Sequence, residues 1–379
     1  MDEAPDAFVE KPVQPEAVAE VAGIALPGDR WLAYGDAMRF LGVLGVVFVH
    51  TCDMVMFSGT ATATEWWVAN LADPLGRWAV PVFVMLSGAL LLHPSRTESA
   101  KRFYRRRLAR LGVPIVFWSA FYVLFSIHYT GWGSPAWNAP NSVWKGILRG
   151  YPYIHLHFIF RLAGLYALTP MLRVYVRHAP RTLRVSMVLL LLGLGVGNWA
   201  VTAVLGSQTT AFSALWSFLA FYLLGEVLRG VQVSRRLCAW SCAGFIVCCL
   251  GISGATGLVV HPSYDTFRPF PSVDAMFYDY LCPLRFMSAV FAWFVLASVF
   301  RARDSKSRAQ RVAARLAPLT LGVYLVHPLF REILYKEGWL FARPNVWVGI
   351  PATFAVIAAL SIAAAFVIRL IPGVRRIGG

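Results

Sequence analysis

Apolar residues gather along this chain in ten blocks of roughly 15 to 26 residues, each long enough for a helix to cross the ~30 Å hydrocarbon layer of a bilayer. The blocks run over 36–57, 77–92, 111–128, 155–175, 183–205, 212–228, 237–260, 276–300, 316–335 and 346–370. This pattern predicts an all-α fold, a polytopic membrane protein built as a bundle of about ten transmembrane helices. Lys and Arg alternate between the connections. One set is basic: Arg96, Lys101, Arg102, Arg105, Arg106, Arg107 and Arg110 before the third block, then clusters within 173–184, 229–236, 301–315 and 369–376. The other set holds Arg77, Lys145 and Arg149, Arg268, and Lys336 and Arg343, with no basic residue between 205 and 212. By the positive-inside rule both termini are cytoplasmic, with five loops on the far side.

Composition agrees with this pattern. With 58% hydrophobic and 14% charged residues and a mean hydropathy of +0.59, the chain is too apolar for an ordinary soluble domain. The net charge of +16 does not point to nucleic acid, because the basic residues sit in short loops between spans rather than on one face of a soluble domain. Residues 1–30 carry Asp2, Glu3, Asp6, Glu10, Glu16, Glu20 and Asp29 against Lys11 and Arg30, with several prolines. They lack the basic end and apolar core of a secretory signal and are expected to form a disordered acidic cytoplasmic tail. The transmembrane domain is expected over 31–372, and 373–379 as a short cytoplasmic tail. The six cysteines lie mostly inside apolar blocks, without CxxC pairs or His partners at zinc-ligand spacing. They are expected to be buried free thiols, and no metal site is predicted.

The first block holds the most informative chemistry, Asp36-Ala-Met-Arg39 followed by ten residues and then His50. Eleven helical steps are about three full turns, so Arg39 and His50 project from one face, roughly 16 Å apart. An intramembrane cation and imidazole are costly without a partner or a function, and a common interior passage for both is the expectation. The bland reading is a satisfied histidine and a snorkelling arginine. His327, well inside the ninth block, is expected at a depth comparable to His50. Arg161 and Arg285 are further intramembrane cations that favour the bundle interior. They either bind an anionic or hydroxylated acceptor or pair with Asp279 or Asp274 to hold helices together. Glu226 is expected as an exposed carboxylate at the cytoplasmic end of the sixth block.

Other elements recur in order. The second block contains Phe83-Val-Met-Leu86-Ser87-Gly88, where small residues serve close packing and Ser87 is at most a helper. Phe103-Tyr-Arg105-Arg106-Arg107-Leu-Ala-Arg110 follows, then His155-Leu-His157-Phe158 and Gly164-Leu-Tyr166-Ala-Leu-Thr169-Pro170, and finally Gly322-Val-Tyr324-Leu-Val-His327-Pro328. A basic cluster at a membrane boundary also suits anionic lipid, and His-Pro also suits a kink.

Together these elements resemble the acyltransferase-3 family of membrane O-acyltransferases over about 36–370. The fourth-block stretch is similar to the branch that modifies surface polysaccharides, with His157 where Trp is more usual. The resemblance implies transfer of an acyl group, commonly acetyl, from cytoplasmic acetyl-CoA to a hydroxyl of a cell-surface or lipid-linked glycan at a bacterial inner membrane. It implies His50 and Arg39 as catalytic residues, and Arg107 and Arg110, with Arg106, on the coenzyme. Asp36, Ser87, His155, Arg161, Arg285 and His327 are supporting or acceptor-side candidates. The guanidinium fork suits phosphate, and an imidazole can take and return a proton near neutral pH. A transporter or flippase of a glycan or small anionic solute is the rival class, because charged groups in a bundle also mark substrate pathways.

Overall fold

The computed structural model describes residues 28–58, 60–94, 98–129, 153, 155–205, 211–259, 276–301, 308–337 and 345–378. Of the acidic tail predicted over 1–30, residues 1–27 lie outside the described residues and 28–30 begin a helix; the connection with Lys145 and Arg149, and Asp274, also lie outside them. Among those described the protein is all-α: α1 Gly28–Met56, α2 Ala63–Ala72, α3 Pro74–Arg77, α4 Ala79–Leu91, α5 Ala100–Tyr129, α6 His157–His178, α7 Arg181–Leu205, α8 Ala211–Leu228, α9 Arg235–Val259, α10 Pro283–Arg301, α11 Arg308–Leu316, α12 Thr320–Lys336 and α13 Val346–Leu370. Nine stretches among them are long and apolar enough to cross a membrane, and α8 adds a shorter apolar stretch, Phe218–Leu228. The protein is a multi-pass membrane bundle. Its outward faces on α5, α7 and α9 are apolar, with Leu108, Val116, Leu189, Leu194, Ile246 and Leu250 all exposed, as contact with lipid requires.

α1 runs through the middle, touching α2, α3, α4, α10, α11, α12 and α13. Small residues set its approach to the second span. A Cβ on Gly76 would meet the Gly45 carbonyl at 2.7 Å, and one on Gly42 would meet the Phe83 ring at 2.9 Å. The α4–α8 crossing is tighter still. A Cβ on Gly88 would lie 1.8 Å from the Tyr222 carbonyl oxygen, and one on Gly225 would lie 1.8 Å from that of Met85. The Ser87-Gly88 element is therefore a packing element, as the small-residue rule for membrane helices predicts.

The second span differs from the sequence expectation. It begins at Ala63 rather than Arg77 and is built from α2, α3 and α4 in succession. Thr62 and Glu65 form a reciprocal capping box that starts α2. The breaks follow from prolines. Pro74 has no N–H for the Asn70 carbonyl, which instead accepts the Ser253 hydroxyl at 2.8 Å. Pro81 likewise has no N–H for the Arg77 carbonyl, and the chain turns at Trp78. Such irregular backbone at membrane depth is tolerated where it lines a cavity. Arg77 is thus drawn into the bundle, with a side chain only 10% exposed, rather than standing in a far-side loop.

The third span also starts early. The helix begins at Ala100, so the basic cluster from Lys101 to Arg110 lies on its first turns and not in a loop. Ion pairs at this end join segments the charge rule places together: Glu98 with Arg106 and Arg173, each at 3.2 Å, and Glu226 with Arg184. Glu226 is therefore a largely buried, paired carboxylate, which corrects the expectation of an exposed one. The tail over 373–379 is docked where described: Arg375–Ile377 forms a helical turn, and the Trp118 indole N–H donates to the Ile377 carbonyl at 2.9 Å. Cys52, Cys248, Cys249 and Cys282 are buried free thiols, whereas Cys238 is half-buried and Cys242 exposed.

Candidate active site

The mid-depth residues of α1 face a cavity of about 420 Å³. His50 and Asp53 enter it from α1, Arg77 from α3, His155 from the turn before α6, His157 and Arg161 from the start of α6, Tyr278, Tyr280 and Arg285 from the α9–α10 connection and α10, and Tyr324 and Arg331 from α12.

His50 has a carboxylate on one side. Asp53, one helical turn on, places Oδ2 3.4 Å from His50 Nδ1, while its Oδ1 accepts Arg77 Nη2 at 3.0 Å. Arg77 Nε donates to Asp73, and its guanidinium covers the Tyr278 ring at 3.8 Å. Tyr278 in turn donates to Asn70 Oδ1 at 2.6 Å. Each member is fixed by the next, as an ordered charge network inside a membrane requires. A carboxylate against Nδ1 favours the tautomer with its proton there, which leaves Nε2 as the basic atom.

His327 is fixed by a different device. Pro328 has no N–H to donate to the carbonyl four residues back in α12, that of Tyr324. His327 Nδ1 meets this oxygen at 2.7 Å. A carbonyl only accepts, so Nδ1 carries the proton and Nε2 is again the bare nitrogen. Nε2 is buried without a partner among the described residues. The His-Pro pair thus does more than kink the helix, since the proline supplies the acceptor that sets the neighbouring ring's tautomer. The His50 and His327 rings are 5.3 Å apart between centroids, at the common depth their positions in α1 and α12 predict. His155 lies 5.5 Å beyond His327 and is 1% exposed, with both ring nitrogens unpartnered among the described residues. Three imidazoles therefore adjoin one another beside one cavity.

The other predicted residues divide by place. α1 is unbroken from Arg39 to His50, so the rise of about 16 Å holds. Arg39, however, donates to Asp36 at 2.8 Å and is not among the residues lining the His50 cavity, so the expected common passage is not seen from this side. It stands instead within electrostatic reach of Arg110, as Arg107 does. Arg107 lies 5.2 Å from the centroids of both Phe103 and Tyr166, and its Nε has no partner among the described residues. Arg106 is turned away to Glu98. Arg161 and Arg285 line the cavity, and among the described residues neither is ion-paired to Asp279; Asp274 lies outside the described residues. Arg285 donates to the Tyr278 carbonyl and lies over the Tyr280 ring, and Arg161 lies against Phe218 and Tyr280. Ser87 is not among the cavity's lining residues.

Sequence reasoning passed over Asp53, Asp73, Tyr278, Tyr280 and Arg331, and it read Arg77 as a loop residue. Asp53 was findable: an acid three residues after an intramembrane histidine shares its helix face.

The fold and the site define a class: a multi-pass membrane bundle with buried imidazoles and paired charges around an interior polar cavity. The chain belongs to the acyltransferase-3 family, whose acyltransferase-domain model matches residues 32–370, and it is therefore a membrane acyltransferase. No curated protein and no solved structure gives a significant match.

Proposed function

We propose that the protein moves an acetyl group from cytoplasmic acetyl-CoA to a hydroxyl of a cell-surface or lipid-linked glycan, as a multi-pass protein of a bacterial inner membrane with both termini cytoplasmic. The observation that carries this reading is His50, backed by Asp53 and facing the cavity beside His327. In the reaction, His50 Nε2 takes the acceptor's hydroxyl proton as the oxygen attacks the thioester carbonyl. The carbon–sulfur bond then breaks, and the departing thiolate receives the proton from the imidazolium. Asp53 faces the imidazolium while it exists, and Arg77 keeps Asp53 in place. Arg39, Arg107 and Arg110 support a coenzyme site. Arg39, near the start of the first membrane span Gly35–Met56, and Arg107 both lie within electrostatic reach of Arg110, and among the described residues neither Arg107 nor Arg110 has a carboxylate within ion-pair distance, a setting suited to phosphates. The test is transfer of labelled acetyl from acetyl-CoA into glycan in membranes carrying His50→Ala. Incorporation should fall to background, and near-wild-type incorporation would end the assignment of His50.

A further inference from the structure

Four guanidinium groups line the cavity, and two of them have a carboxylate of their own. Arg77 is held by Asp53 and Asp73, and Arg331 by Glu332 at 2.8 Å. Arg161 and Arg285 differ from these. Among the described residues neither has a carboxylate within ion-pair distance, and both lie against one ring, with Cζ 5.7 and 3.8 Å from the Tyr280 centroid. Arg285 is 4% exposed, and its Nε has no hydrogen-bond partner among the described residues. Asp279 lines the same cavity, and its field and that of Asp73 reach Arg285 from beyond ion-pair distance, while Asp279 Oδ1 accepts the Leu281 N–H at 2.7 Å.

A buried cation without a counter-charge is costly in a low-dielectric interior, and ring faces offset only part of that cost. The cost is recovered when an anion enters beside it. The pair also lies in the right place for an acceptor, because the same cavity contains His50. Tyr280 and Phe158 give it aromatic walls, against which the apolar face of a sugar ring can lie while its charged group meets the guanidinium donors.

We propose that Arg161 and Arg285 form an anion subsite for the acceptor, so that the glycan acylated here is acidic, with a carboxylate or phosphate on or next to the sugar that receives the acyl group. This specificity rests on acyl transfer at His50, and the two are tested apart. Binding to the purified full chain is measured for three probes: methyl glucuronide, glucose 1-phosphate and methyl glucoside. At least one charged sugar should bind on the order of 10-fold more tightly than the neutral one, and the difference should shrink as salt rises. Which charged probe is preferred distinguishes a uronate from a phosphate. Arg161→Gln and Arg285→Gln should each remove most of the preference, and Arg285→Lys should retain part of it.

Equal binding of charged and neutral probes by the wild-type protein overturns the subsite, whether or not any variant folds. So does a preference that survives both glutamine variants. Displacement of the charged sugar by coenzyme A in simple competition would give these arginines to the donor and equally end the acidic-acceptor assignment. His50-dependent consumption of acetyl-CoA is followed in parallel. If it persists while the charge preference is absent, the subsite alone fails. If the preference is present without such turnover, the anion site stands and the role of His50 falls.

Discussion

Replacing Asp53 with Asn tests the organisation of the site with a change of almost no volume. The carboxylate now serves two neighbours, His50 Nδ1 at 3.4 Å and Arg77 Nη2 at 3.0 Å. Arginine has only donors, so the new amide must turn its oxygen toward Arg77. Its NH2 then faces His50 Nδ1 and favours the tautomer that accepts there, which puts the ring proton on Nε2, where a base needs a lone pair. The counter-charge for the imidazolium is lost in the same step. Together the wrong tautomer and the missing charge should lower kcat by about 10²- to 10⁴-fold, equivalent to about 2.7–5.5 kcal/mol of barrier. Arg77 keeps Asp73 and the Tyr278 ring, so the fold should persist. The assay is acetyl transfer from labelled acetyl-CoA with detergent-purified protein, alongside thermal melting and coenzyme binding. Coenzyme affinity should stay within about 3-fold, because Asp53 lies away from the Arg39 end. A folded variant that retains wild-type kcat would refute the claim that Asp53 orients His50.

Three further outcomes follow from separate parts of the molecule. Arg107→Ala combined with Arg110→Ala should raise the KM for acetyl-CoA by at least about 10-fold with a smaller change in kcat, read by steady-state kinetics, since phosphate-gripping groups away from the reacting atoms act mainly on binding. Gly88→Val should prevent the α4–α8 crossing, because its Cβ would fall 1.8 Å from the Tyr222 carbonyl oxygen, and the protein should melt at least about 10 °C lower in detergent or fail to assemble. Glu98 lies between spans, where partial burial pushes its carboxyl up, but the Arg173 hydrogen bond and the charges of Arg173, Arg106 and Arg107 outweigh this and hold it below the ordinary range. The resulting stabilisation is complete above the usual carboxylate pKa and is lost as pH falls through the lower folded value. Melting temperature should therefore drop on acidification below about pH 4.5 in wild type, and less steeply in Glu98→Gln.

Much of the architecture was legible from hydropathy and charge. Apolar run length defines membrane helices because the bilayer fixes how long they must be, and the alternation of Arg and Lys placed together the ends that Glu98–Arg173 and Glu226–Arg184 join. Local spacing also placed His50 and His327 at one depth. The second span escaped this reasoning: Asp73, Pro74, Arg77 and Pro81 lower its hydropathy and punctuate it, and only packing against α1 makes such a sequence tolerable inside the bundle.

Hydropathy and spacing were enough for the membrane class, most of the crossing helices, the family motifs and the shared depth of His50 and His327, because each of these depends on short-range periodicity or on the price of a charge in lipid. Tertiary structure alone decided the partners. It brought Arg77 from a kinked helix onto Asp53, set Arg39 within electrostatic reach of Arg110 and away from the His50 cavity, and placed Arg161 and Arg285 beside Tyr280 with no carboxylate in ion-pair distance among the described residues. These are contacts between elements far apart in the chain, set by the angle and distance at which helices cross. Periodicity along one helix holds no record of which face of another helix it will meet.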